Sequence, residues 1–139
     1  MSDSPGHVVI DSSVIVKWFL AAAEADVPAA ARLRRQHADG STVLAAPSHV
    51  VLEVLNALRF RRSSTSALST AAGELLAMGL DLTAVELLAE RAAVIAVEHD
   101  LTVYDAAFVA LAESLDCELV TADRRLAACT ACRTRLLGS

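Results

Sequence analysis

Residues 7–13, His7-Val8-Val9-Ile10-Asp11-Ser12-Ser13, join a β-branched run to a cluster of helix-opening side chains. Val and Ile fit a pleated strand, and Asp-Ser-Ser is the chemistry of a helix N-terminus. The stretch reads as a strand that passes directly into a helix, residues 14–20. The same grammar repeats along the chain. A helix is expected over about 26–37, stopped by Ala38-Asp39-Gly40-Ser41, and a second strand over 43–45. Pro47-Ser48 opens a helix over about 49–61. A polar break at 63–66 precedes a helix over 67–78. A third strand follows at 80–83, then a helix over 85–98 with Leu88, Ala92 and Ile95 on one face. Thr102 starts a helix to residue 115. A fourth strand covers 117–120, a short helix reaches about 128, and a fifth strand lies at 133–137. Short strands alternating with helices predict an α/β fold, a parallel sheet flanked by helices in a single domain over 1–139. Ligands of such sheets bind beyond the carboxyl ends of the strands. The residues to inspect therefore follow Ile10, Ala45, Thr83 and Val120.

Composition supports a packed core. Hydrophobic residues are 55% of the 139, against 21% charged and only 5 Gly and 3 Pro, which excludes a disordered or fibrous chain. Seventeen acidic residues outweigh twelve basic ones. An overall basic surface that would attract nucleic acid unaided is excluded, so such a substrate needs a local basic patch or metal cations. Lys17 is the only lysine. No apolar run approaches a membrane span, and the first residues lack the pattern of a signal peptide. Three cysteines are too few for a disulfide framework. The expectation is a soluble cytoplasmic protein with reduced thiols and no membrane partner.

Four acids fall at the places the fold picks out. Asp11 follows the first strand, and Asp123 lies two residues past the fourth. Asp105 sits in the first turn of the helix before that strand. Glu53 lies in the helix after the second. Each has a plainer reading. Asp11 and Asp123 fit helix N-caps, and Thr102 to Asp105 fits a capping box. Glu53 lies in a stripe, His49, Glu53 and Asn56, on a helix apolar almost all round. A solvated stripe is one reading; a buried carboxylate needing a partner is the other. Two like charges about 5 Å apart repel by roughly 3 kcal/mol at an effective dielectric of 20. Four converging acids would raise their own pKa values unless a cation compensates. An all-oxygen donor set suits Mg²⁺, with Mn²⁺ the alternative. Such an ion supplies an activated water and neutralises a phosphoryl group. Ser12 and Thr121 are placed to orient the ligating carboxylates.

These residues resemble the PIN-domain ribonucleases, most nearly the VapC-type toxins of type II toxin–antitoxin pairs. The likeness runs through Val9 to Val14 with Lys17-Trp18-Phe19, and Ala46-Pro47-Ser48 through Glu53 to Leu58. It continues through Leu101 to Ala106 with Ala110 to Glu113, and Leu119 to Leu126. The resemblance implies a three-layer fold with a five-stranded parallel sheet. It implies Asp11 and Asp105 as the acids on Mg²⁺, with Glu53 and Asp123 completing a catalytic quartet, directly or through water, and Thr121 in support. It implies metal-dependent hydrolysis of single-stranded RNA, a small antitoxin that blocks the site, and a homodimer. The alternatives are a receiver-like signalling domain, which needs a lysine on a late strand that this chain lacks, and an inactive PIN-like binding module. A DxD phosphatase would need an acid where Ser13 stands.

Basic residues that could meet RNA are Arg124 and Arg125 beside Asp123, and Arg59, Arg61 and Arg62 around Phe60. A solvated helix end explains the second group as well. Trp18, Phe19 and Leu20 cannot share one helical face. Either one meets a partner or they pack on the following helix. Cys129 and Cys132 have the spacing of half a zinc site without a second pair.

Overall fold

The computed structural model describes residues 5–20, 26–61 and 64–139. Five strands form one parallel sheet: β1 Gly6–Ile10, β2 Thr42–Pro47, β3 Asp81–Thr83, β4 Leu119–Thr121 and β5 Thr134–Leu136, in the order β3-β2-β1-β4-β5. The helices are α1 Ser12–Ile15, α2 Val27–Ala38, α3 Val50–Arg59, α4 Thr65–Ala77, α5 Ala89–His99, α6 Val103–Leu115 and α7 Arg124–Ala127. The chain builds outward from β1 to β3 on one side, then returns to lay β4 against the other edge of β1. The crevice expected of a parallel sheet therefore opens between β1 and β4.

Central strands of such a sheet are covered on both faces and read as unbroken apolar runs. Val9, Ile10, Leu44, Ala45, Ala46, Leu119 and Val120 are all buried. Helix α6 carries the other half of the core. Its residues from Ala106 to Ala112 are buried in an unbroken run, so the helix is enclosed on every side. Alanines at 106, 107, 110 and 112 let it pack closely against the sheet and α5. Thr102 caps it, its hydroxyl oxygen accepting the Asp105 N–H at 3.0 Å.

Three elements differ from the sequence expectation. The first helix stops after Ile15, and Val16–Phe19 wind as a 3-10 turn. Trp18, Phe19 and Leu20 all lean, half-buried, on the core. The Trp18 Nε1–H donates to the Ala30 carbonyl of α2 at 2.8 Å, so the aromatic packs on the following helix. The stretch at 85–98 opens with a 3-10 turn, Val85–Leu87, before α5. Helix α3, apolar almost all round, is not buried all round: it buries Val50, Val54 and Leu58 and leaves Leu52 71% exposed. No helix among the described residues is long and apolar enough to cross a membrane.

Candidate active site

Asp11 lies where β1 ends. Ile10 pairs with Val120 in the sheet, so the next step in register sets Asp11 beside Thr121. The Thr121 hydroxyl donates to Asp11 Oδ2 at 2.8 Å, and the Ser13 hydroxyl donates to Oδ1 at 2.6 Å. Both hydroxyls are aimed by the backbone. The Ala122 N–H donates to Ser13 Oγ at 2.9 Å, and the Asp123 N–H donates to Thr121 Oγ1 at 3.0 Å. With a lone pair of each oxygen taken, the protons are left for the carboxylate. Asp11 occupies the backbone cap position of α1 but makes no side-chain cap bond. Its oxygens are held by the two hydroxyls instead. The serine that reaches it is Ser13; among the described residues Ser12 makes no such contact. Adjacent serines look alike in sequence, and only the start of α1 at Ser12 turns the second one toward β4.

The other three acids lie at decreasing depth. Glu53 and Asp105 are half-buried, and Asp123 is exposed at the rim. Asp123 Oδ1 caps α7 by accepting the Arg125 N–H at 2.9 Å, so its cap role and its place at the rim coexist. Glu53 Oε1 is buried and has no hydrogen-bond partner among the described residues. His49 Nε2 stands 3.8 Å away, too far for a hydrogen bond, and is engaged with the Tyr104 carbonyl at 3.0 Å. Burial lowers the His49 pKa, so at neutral pH the pair is not a salt bridge.

The charge of each acid reaches at least one of the others. Burial pushes Asp11 up to about 6, the two hydroxyls pull it back, and the charges of Asp105 and Asp123 raise it further. Burial, then the charges of Asp105 and Asp11, push Glu53 up to about 7. Asp105 is raised by burial and by Asp123, while Thr102, Arg125 and His49 restrain it. Arg125 thus stands close to the ring, its Nη2 bound to the Asp100 carbonyl at 2.6 Å. Arg124 is exposed on the same helix. Arg59 and Arg61 are exposed at the far end of α3, nearly two turns beyond Glu53, and Arg59 lies 5.3 Å over the Phe60 ring. Arg62 lies outside the described residues. The three cysteines are unpaired thiols away from this site, and burial pushes Cys132 up to about 12.

The donor set fits a hard dication. It is carboxylate oxygen throughout, its protonation is strained upward, and one buried oxygen has no donor. Among the described residues, no three His, Cys, Asp or Glu side chains close into a ready metal cage. That openness is compatible with Mg²⁺, which uses one or two carboxylates and keeps several waters.

The PIN-domain family model matches residues 8–130, nearly the whole chain and all four acids. The chain belongs to the PIN-domain family. No curated protein matches it. Among solved structures, 27 chains match. One is PAE2754 from Pyrobaculum aerophilum, at 25% identity and a TM-score of 0.63, covering 94% of this chain and 91% of that one. Another is VapC20 of Mycobacterium tuberculosis, described as a sarcin-ricin loop cleaving toxin, at 22% identity and 0.68, covering 88% and 95%. A toxin–antitoxin complex from Klebsiella pneumoniae matches at 15% identity and 0.64, covering 90% and 94%. These likenesses show the same fold over about nine-tenths of this chain.

Proposed function

We propose that this PIN domain is a Mg²⁺-dependent endoribonuclease, Mn²⁺ substituting, that acts on single-stranded RNA as the toxin of a VapC-type pair. The observation that carries the reading is the acid ring itself: Asp11, Glu53, Asp105 and Asp123 share one mouth, and Glu53 Oε1 is buried there without a partner. A catalytically idle module has no electrostatic reason to keep such a cluster.

Asp11 and Asp105 would hold the ion, with Glu53 and Asp123 contributing directly or through water. When bound, Mg²⁺ supplies a water of lowered pKa and neutralises charge gathering at phosphorus. The rest is the chain's own work. Ser13 and Thr121 fix the Asp11 carboxylate in one orientation. The Glu53 carboxylate, pushed up to about 7, is the group available to take the proton of the attacking water. Arg125 stands at the rim of the ring, where a flanking phosphate would pass.

The toxin assignment draws on the folds that match, VapC20 and two toxin–antitoxin complexes, one of them VapBC2 of Rickettsia felis bound to a promoter DNA fragment. A cognate small antitoxin, a homodimer and a cytoplasmic setting belong to the same reading. The test is incubation of the purified full chain with single-stranded RNA in Mg²⁺, Mn²⁺ or chelator. Expected is cleavage that needs metal and disappears in Asp11→Asn and Asp105→Asn. Cleavage that persists in chelator, or in both variants, overturns the proposal.

A further inference from the structure

Helix α6 is enclosed from Ala106 to Ala112, and its first turn lies outside that sheath. Val103 and Tyr104 are exposed, and Asp105 is half-buried. Packing therefore does not by itself fix the carboxylate that this turn carries, and helix ends fray unless they are tied. One tie is local, the Thr102 cap on the Asp105 N–H. The other comes from α3. His49 Nε2 bonds the Tyr104 carbonyl at 3.0 Å, across 55 residues of sequence. A carbonyl oxygen only accepts, so Nε2 carries the proton. Nδ1 is buried without a partner among the described residues. The imidazole thus has one hydrogen bond to give, and gives it to α6. Its ring centre lies 4.9 Å from that of Phe108, one turn further along α6, which keeps the imidazole on that helix.

The position of His49 in its own helix points the same way. It is the N-cap residue of α3, where Ser, Thr, Asp or Asn would close the helix, yet its side chain makes no cap bond. Helix α3 packs chiefly on α1 and α4, and α6 on α5 and the sheet, so Glu53 and Asp105 ride on differently supported helices. His49 joins them, one turn before Glu53 on α3 and bonded to the residue before Asp105 on α6. We propose that His49 is a positioning residue of the acid ring: its bond to the Tyr104 carbonyl holds Asp105 at the spacing from Glu53 and Asp11 that Mg²⁺ needs. His49 acts through Asp105. The proposal rests on the metal reading above and deepens it by naming what selects the ion. Mg²⁺ demands near-ideal octahedral geometry, whereas Ca²⁺ accepts flexible shells. A loosened first turn should therefore weaken Mg²⁺ and spare Ca²⁺.

The full chain and two variants test it. His49→Phe keeps a ring and removes the donor; His49→Gln returns an amide N–H to the place of Nε2. Mg²⁺ and Ca²⁺ affinities are read by NMR titration of backbone amides, with Tm in chelator alongside. Expected for His49→Phe is Mg²⁺ affinity about tenfold weaker with Ca²⁺ affinity within about threefold of the parent. His49→Gln should bring Mg²⁺ affinity back to within about threefold. In the parent, imidazole ¹⁵N shifts should report the Nε2–H tautomer of His49, a measurement that needs no variant. Equal Mg²⁺ affinity in the parent and His49→Phe overturns the proposal. So does His49→Gln binding no better than His49→Phe, an equal loss of Mg²⁺ and Ca²⁺, or the Nδ1–H tautomer in the parent. A fall in Tm with Mg²⁺ affinity unchanged assigns the bond to stability alone and overturns it as well. No Mg²⁺ binding by the parent overturns the metal reading itself, a different result from binding that His49 does not tune.

Discussion

The two ends of the sheet treat negative charge in opposite ways. Where the strands begin, carboxylates have cations beside them. Glu118 takes the Arg135 guanidinium at 2.9 Å, and Asp116 has Arg133 at 3.7 Å. Glu113 at the foot of α6 holds Arg91 through two bonds of 2.7 and 2.8 Å, which lowers its pKa. Where the strands end, Asp11, Glu53 and Asp105 are more buried, and all three are raised. Burial penalises charge and pairing repays it, yet the more buried acids have the fewer cations. One end of the sheet is arranged for the folded chain alone. The other is arranged for something the chain does not itself contain.

The sharpest way to break this contrast is to neutralise one acid at each end. Asp105→Asn should reduce metal-dependent RNA cleavage on the order of 10³-fold, while Glu118→Gln should leave it within about twofold, measured as kcat/KM on one RNA. A large loss in both would mean that the ends are not separate in function.

Thr121→Val removes a hydroxyl that steers Asp11 without removing a carboxylate. Cleavage should fall roughly 10–100-fold, and metal affinity should weaken with it. An unchanged affinity would show that the hydroxyl does not position Asp11.

Stability reads the same contrast without RNA. Mg²⁺ at about a hundred times its Kd should add roughly 2.7 kcal/mol to unfolding by linkage, seen as a rise in Tm. Asp11→Asn should abolish that rise and Glu118→Gln should keep it.

The pH dependence has a definite sign. Asp11 is raised from 3.8 to about 6 and Glu53 from 4.5 to about 7, so between about pH 4 and 7 the unfolded chain loses protons that the folded chain keeps. In chelator, stability should therefore fall as pH rises through that window. Asp11 alone contributes a loss of about 3 kcal/mol. At about pH 8, Glu53→Gln should melt roughly 3 °C higher than the parent, and the gain should vanish near pH 4. A lower Tm for Glu53→Gln in chelator would show that the acids are not crowded. The smallest effect belongs to the paired end. Glu113→Gln should shift Tm by less than about 2 °C, and less still in high salt.

Much of this was legible in the residues. The apolar runs placed five strands, and strand-end position picked out Asp11 and Asp123 without any coordinates. The Thr102 cap was readable because an N-cap is a local pattern of four residues. Contacts between remote stretches were not readable. That Ser13 rather than Ser12 meets Asp11 depends on which way α1 turns against β4. The nearness of His49 to Tyr104 depends on how α3 packs on α6. The exposure of Leu52 was hidden for the same reason, because an apolar stripe does not reveal which of its sides finds a neighbour.

Helix α6 carries Asp105 on a shaft enclosed from Ala106 to Ala112. A small alanine-lined shaft cannot roll or slide without opening voids along the middle of the molecule. The scaffold is therefore ill-suited to switching by bending, and the opening keeps one shape whether filled or empty.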